Sequence, residues 1–274
     1  MDAEDTVIQP ETFVLRERLQ LLKVPIDIVP PEQVSDIIYE LVGSNEGKNI
    51  VLLSLWDLLR ARSNKEYRAF ILSASLVIPI SKSLVGGAQF LTGKQAVRYM
   101  PFDFVISLLT ALEERGLSVY LLGGKPRVLK KTEKNIRQTF PRLHIVGRYA
   151  GFFKKQEEGS ILEAIRKAAP TLLLVGKGVA RKEHWIARND KLLPRGLRLW
   201  CSDIYDIFAE QKKHPTRYVF DHGLEWISYC FENPFRFFRV FLFLYYKFLV
   251  LIYWLFKLDK PGSQKPKDLE KSKR

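Results

Sequence analysis

Between Ser118 and Asp203 the chain alternates two kinds of segment. Short apolar runs, "SVYLLGG", "LHIVGRYAG", "TLLLVGKG" and "LRLWCSD", are separated by longer helix-forming stretches, "KPRVLKKTEKNIRQTF", "KKQEEGSILEAIRKAA" and "ARKEHWIARNDKLL". Apolar runs without polar alternation read as strands buried on both faces, and a helix between successive strands requires parallel pairing. Right-handed crossovers then make a doubly wound α/β domain, a mainly parallel sheet with helices on both faces. Upstream, "LQLLKVPIDIV" reads as one strand, and "PPEQVSDIIYELV" as a helix with Pro31 in its first turn. "NIVLLS" and "LVIPI" read as strands either side of one helix, "DLLRARSNKEYRAFIL". Lys82 to Arg98, with Gly86, Gly87 and Gly93, reads as a loop around a short helix. "DFVISLLTALEERG" is a helix stopped by Gly116.

Ligands of such sheets bind outside the carboxyl ends of the strands. That directs attention to Ser54, Ile80 to Ser83, Gly123 to Lys125, Gly176 to Lys182 and Ser202 to Asp206. Gly123–Gly124 and Gly176-x-Gly178 each stand between a strand and a helix, where backbone can approach a phosphate and the helix start supplies partial positive charge. Glycine is equally common in ordinary strand-to-helix turns. A dinucleotide fingerprint is absent, because Gly176-x-Gly178-x-x runs into Arg181, and no GKS or GKT phosphate loop occurs. Two such loops on adjacent strands, beside Lys125, Arg181 and Lys182, suit a nucleotide diphosphate.

The net charge of +14 points to an anionic partner. Nucleic acid is disfavoured, since much of the excess lies near the C-terminus and no basic-aromatic recognition motif stands out. Cys201 and Cys230 have no paired spacing, and the histidines at 144, 184, 214 and 222 set no two ligands on one helix face, so neither a disulfide framework nor a metal site is expected. The N-terminal "MDAEDTVIQP" lacks a signal-peptide pattern, which places the expected location in the cytoplasm.

From Pro234 to Lys257 the chain is almost continuously apolar, its charges being Arg236, Arg239, Lys247 and Lys257. On a helix these four fall within roughly an 80° arc. A narrow cationic stripe on an apolar body describes a helix lying in a membrane interface, with a spanning anchor or a core helix as alternatives. The expected layout is an arm over 1–18, a Rossmann-like domain over 19–210, a basic and apolar membrane-associating appendage over 211–257, and a disordered lysine-rich tail over 258–274.

From about Leu19 to Phe238 the sequence resembles the WecG/TagA/CpsF family of bacterial glycosyltransferases. The resemblance rests on "LKVPID", "NKEYRAFILSASLVIP", "SVYLLGGKP", "LHIVGRYAGFF", "LLLVGKGVARKEHWIARN", "YDIFA" and "GLEW". It implies an inverting, metal-independent transfer of an N-acetylmannosamine-type sugar from UDP to a polyprenyl-diphosphate-linked acceptor at the cytoplasmic face of the membrane, with no cofactor. Homo-oligomerisation or a partner glycosyltransferase is left open. The substrate-binding positions it implies are Ser54, Ser81, Arg98, Gly123, Gly124, Gly176, Gly178, Lys182, Glu183 and Asp206. Arg217, Arg236, Arg239 and Lys247 are the cations available for lipid phosphate.

Several motif residues are replaced. The family's Thr-x-Asn falls on Leu52 and Ser54, and the aspartate of its Pro-Asp-Gly, the base that activates the acceptor hydroxyl, falls on Ile80. The proline and glutamine of its Pro-x-Gln-Glu fall on Ala180 and Lys182, with Glu183 retained. Either the site is rebuilt, with Lys182 facing the diphosphate and Asp203 as a new base, or the chain binds its ligands or scaffolds partners without turnover. Asp203 is equally suited to cap the following helix, Lys182 to a solvated face, Glu183 to a first-turn position, and Arg98 to an ion pair with Asp103.

Overall fold

The computed structural model describes residues 16–180, 183–223 and 239–256; Arg181, Lys182, Arg236, the first fifteen residues and the tail lie outside them. Six strands form one sheet in the order β4-β3-β8-β7-β5-β6, and every neighbouring pair is parallel. They are β3 (Gly47–Leu53), β4 (Leu76–Pro79), β5 (Ser118–Leu122), β6 (His144–Tyr149), β7 (Leu172–Val175) and β8 (Gly196–Trp200). Alternate side chains of the strands feed two cores. One face carries α1 (Val34–Gly43), α5 (Pro101–Glu114), α6 (Pro126–Thr139) and α9 (Ile204–Phe208). The other carries α2 (Leu55–Ser63), α3 (Lys65–Ser73), α4 (Lys82–Thr92), α7 (Glu158–Ala168), α8 (Glu183–Arg188) and α11 (Arg239–Leu255). The doubly wound reading is therefore correct. Because every strand runs the same way, all carboxyl ends share one rim.

Three expectations need correction. The single strand at "LQLLKVPIDIV" is a hairpin, β1 (Glu17–Leu21) antiparallel to β2 (Val24–Ile28). Its two turn residues, Leu22 and Lys23, take φ values of 51° and 64°, a left-handed pair normally given to Asn-Gly. Leu22 is buried, so apolar burial offsets the backbone cost. The helix expected over Asp57–Leu72 is two, because Asn64 turns extended and its side chain accepts the Tyr67 amide at 2.8 Å to start α3. The segment from Lys82, read as a loop around a short helix, opens directly with α4, an eleven-residue helix ended by left-handed Gly93.

The hairpin seals an edge. β4 is the sheet's outer strand, and an unpaired edge invites non-native pairing. Asp27, fully buried, accepts the Val77 amide at 2.7 Å and forms a two-bond pair with Arg18 at 2.7 and 2.8 Å. Arg18 also reaches the carbonyls of Ala74 and Ser75, both at 3.1 Å.

At the carboxyl rim, close backbone approach replaces side chains. Gly123 donates to Tyr149 at 2.9 Å, Gly124 to Lys177 at 2.6 Å, Gly176 to Leu122 at 2.8 Å, and Gly151 to Gly124 at 2.8 Å. A Cβ at Gly123 would lie 2.8 Å from the Gly176 backbone, and one at Gly176 would lie 2.4 Å from the Tyr205 ring. Tyr205 is buried, donates its hydroxyl to the Leu174 carbonyl, and fills the space that these glycines leave.

Helix α11 docks through Tyr246, Leu249, Val250 and Tyr253, spaced as one helical face. The Tyr246 hydroxyl donates to the Ser83 carbonyl at 2.8 Å and sits against Gly87, where a Cβ would be 1.9 Å from it. Arg62 donates to the Tyr253 hydroxyl at 2.9 Å. The other faces leave Phe241, Leu244, Tyr245, Phe248, Leu251, Trp254 and Leu255 exposed. No described helix is long and apolar enough to cross a membrane.

Asp27→Asn removes the counter-charge of Arg18 and is expected to destabilise by about 3 kcal/mol, read from the midpoint of denaturant unfolding. The two kinds of glycine separate in the same assay. Gly176→Ala should cost about 1–3 kcal/mol through its clash with Tyr205. Gly86→Ala, where a Cβ would meet nothing within 4 Å, should stabilise α4 by about 0.5–1 kcal/mol.

Candidate functional site

The rim holds three groups of chemistry-bearing residues. The first lies where β3 and β4 end. Ser54 caps α2: its hydroxyl accepts the Asp57 amide at 3.2 Å while the Asp57 carboxylate accepts the Ser54 amide at 3.1 Å. The Ser81 hydroxyl accepts the Leu55 amide at 3.0 Å, tying the two strand-end loops together. Ile80 is held by its amide to the Leu53 carbonyl at 2.9 Å and presents only hydrocarbon at the position where the resemblance implies a base. Arg98 donates to the Ile80 carbonyl at 3.0 Å and to the Phe220 carbonyl at 2.5 Å, with its guanidinium 3.7 Å over the Phe220 ring. Phe220 belongs to α10 (Arg217–His222), which Thr216 caps and on which Arg217 is exposed. Lys82 reaches across to the Asp221 carbonyl at 2.9 Å. Lys82, Val85, Arg98, Phe220 and Asp221 enclose a cavity of about 220 Å³.

The second group surrounds the glycine loops. Gly123, Gly124 and Gly176 spend their amides on neighbouring carbonyls and their space on backbone and Tyr205, as described above. Gly178, with φ of 93°, accepts the Phe152 amide at 2.7 Å. Asp203 occupies the residue before α9, yet its carboxylate makes no capping bond; it accepts from Lys212 Nζ at 2.6 Å. Asp206 stands 4.0 Å from Lys177 Nζ. Cys201, next to this loop, is buried, and its thiol is pushed up to about 12, chiefly by desolvation and then by Asp203, so it is no nucleophile at neutral pH.

Of the third group, Glu183 is expected from the sequence, and its partners Arg60, Tyr67 and His184 are not. Glu183, first residue of α8 and 8% exposed, lies 3.8 Å from Arg60 Nη1. Arg60 stacks 4.2 Å over the ring of Tyr67, which also faces His184 at 5.2 Å between centroids. Burial, followed by the nearby Asp57 and Glu183 carboxylates, raises the Tyr67 pKa, keeping that phenol neutral. Glu183 thus sits in a buried polar cluster, a closer role than the helix-dipole one. Lys82 falls within the strand-end range Ile80 to Ser83 but was given no role, although one signal existed: a lysine in the first turn opposes the helix dipole, which a merely structural position would avoid. Lys182 and Arg236 fall outside the described residues, and Arg239 is described only as the first residue of α11.

Comparison with known proteins agrees with this architecture. The model of the glycosyl transferase WecG/TagA/CpsF family matches residues 19–261. One curated relative, N-acetylglucosaminyldiphosphoundecaprenol N-acetyl-beta-D-mannosaminyltransferase of Bacillus spizizenii, is 24% identical over 207 residues, covering 76% of this chain and 80% of the relative. With the matched segment running from the β1–β2 hairpin past α11, the chain belongs to the WecG/TagA/CpsF glycosyl transferase family.

Proposed function

We propose that this protein is a membrane-peripheral glycosyltransferase. It transfers an N-acetylmannosamine-type sugar from UDP to an acceptor carried on a polyprenyl diphosphate, with inversion and without a metal. The observation that carries this reading is the cavity lined by Lys82 and Arg98 at the strand-end rim, flanked by α10 and by α4, against which α11 packs with its outer face aromatic and exposed. An anionic, lipid-linked substrate needs both features: fixed cations for its phosphates and an apolar surface at the bilayer boundary. The relative's printed name describes mannosaminyl transfer to a diphosphoundecaprenol-linked sugar, which supports the same chemistry here.

In the transfer, an acceptor hydroxyl oxygen bonds to the anomeric carbon as the bond from that carbon to the UDP oxygen breaks. UDP leaves with the electron pair, and the hydroxyl proton passes to a base. Ile80 cannot take it, and losing a general base typically removes about 10²–10⁴-fold of rate. Asp203, which the sequence places where the family has a glycine, is the carboxylate proposed for a rebuilt site, with Lys212 to orient it. The cations at Lys82 and Arg98 would stabilise negative charge on a phosphate. Ile80 also favours a second reading, a family member that binds the nucleotide sugar or the lipid-linked sugar, or scaffolds partner enzymes at the membrane on its cytoplasmic face, without turnover.

Purified full-length protein, given a panel of UDP-sugars and polyprenyl-diphosphate-linked acceptors, should release UDP, and Asp203→Asn should lower that release by about 10²-fold or more. UDP binding without release across the panel selects the non-catalytic reading. Absence of both release and binding overturns the transfer and the nucleotide site together.

A further inference from the structure

A second cavity, about 300 Å³, lies between α4 and α11. Gly86, Gly87, Phe90, Tyr246, Val250 and Leu251 give it apolar walls, and Lys247 stands at its lip. Helix α4 separates this groove from the Lys82–Arg98 cavity and contributes to both, through Lys82 and Val85 to one and Gly86, Gly87 and Phe90 to the other. Lys82 and Gly86 are four residues apart, so they lie one above the other on a single helix face. The two cavities therefore flank the same stretch of α4, with cations beside one and hydrocarbon lining the other.

The paired glycines sharpen the point. Glycine inside a helix costs about 1 kcal/mol relative to alanine, so each needs a reason. Gly87 has one: the Tyr246 hydroxyl occupies the place of its missing side chain. Gly86 has no packing neighbour within 4 Å of where its Cβ would stand, and it is exposed. What its missing side chain leaves open is the groove.

We propose that this groove seats the first part of the isoprenoid chain of a lipid diphosphate, with its diphosphate held in the adjoining Lys82–Arg98 cavity. The proposal rests on the lipid-linked acceptor in the function proposed above and deepens it. The occupant is chosen by charge and polarity: an anionic head on a hydrocarbon tail matches two cations followed by an apolar slot, with Lys247 placed to meet a second anionic group or the headgroup layer. A nucleotide has no use for the slot, and a bilayer acyl surface has no use for cations placed beside α10.

The test is binding of geranylgeranyl diphosphate to the full-length chain by isothermal titration calorimetry, with inorganic diphosphate as the head-only probe. Geranylgeranyl diphosphate should bind at least about tenfold more tightly than inorganic diphosphate, the return on burying two or more methylenes. Gly86→Leu fills the groove without meeting a neighbour at its Cβ and should abolish that advantage, leaving inorganic diphosphate affinity unchanged. Leu251→Asp, at an exposed wall position, should act the same way, so the outcome does not depend on one variant folding. Lys82→Ala should weaken both probes together. The proposal is overturned if geranylgeranyl diphosphate binds no better than inorganic diphosphate, or if both groove variants keep wild-type affinity. It is also overturned if Gly86→Leu weakens sedimentation with isoprenoid-free phosphatidylglycerol vesicles by the same factor, which would make the groove a bilayer contact. None of these readouts needs turnover, so failure of UDP release leaves the inference standing.

Discussion

A sheet in which every pair of strands is parallel sends all of its chain ends to one side, and the rest of this molecule follows from that constraint. Each return crossover must cover a face of the sheet, which produces two cores and leaves no room for a site within either. What remains for ligand chemistry is the carboxyl rim, where Ser54, Ile80, Gly123, Gly176 and Asp203 are gathered from distant parts of the sequence. At the opposite end of β4 the Arg18–Asp27 pair holds the Val77 amide and the carbonyls of Ala74 and Ser75, a structural role.

The rim is built unevenly. Around β5, β6 and β7 it is tight: glycine amides bond to neighbouring carbonyls, and Tyr205 is wedged against Gly124 and Gly176. Around β3 and β4 it is open, with a cationic cavity and a short helix, α10, lying over it. The difference matters for where a phosphate could go. In the tight half the amides of Gly123, Gly124 and Gly176 already have acceptors. In the open half Lys82 and Arg98 donate to the carbonyls of Asp221, Ile80 and Phe220 and line a cavity at the start of α4, the helix that also borders the groove against α11. The edge strand there is kept in place by Arg18 and Asp27, so a salt bridge remote from the rim fixes the floor on which the cavity stands.

Much of this was legible in residues alone, for a physical reason: doubly buried strands are mostly apolar, and "VYLL" and "LLLV" can be little else, while "LRLW" buries Arg198 only because Asp190 and the carbonyls of Leu193 and Pro194 satisfy it. The rim positions followed from the strand ends. What escaped was long-range. The turn at Leu22–Lys23 has no turn-forming residue, because burial of Leu22 offsets its strain. Gly86 and Gly87 looked like helix breakers because the partner of Gly87, Tyr246, comes from a helix far along the chain. The cluster of Arg60, Tyr67 and Glu183 joins three helices that no local pattern connects. At the glycine loops the location was readable and the occupant was not: the space beside them belongs to Tyr205. The four cations near the C-terminus were read as one stripe, and of them only Lys247 has a described side-chain position, at the lip of the groove.

The central claim is that the open half of the rim, and not another surface, receives the diphosphate ligand. Hydrogen–deuterium exchange of the full-length chain with and without saturating geranylgeranyl diphosphate tests it most directly. Slowed exchange should appear in α10, in the segment 80–84 at the start of α4, and around Arg98, with the β1–β2 hairpin unchanged. Slowing confined to the amino-terminal ends of the strands, or to surfaces away from this rim, would contradict the claim.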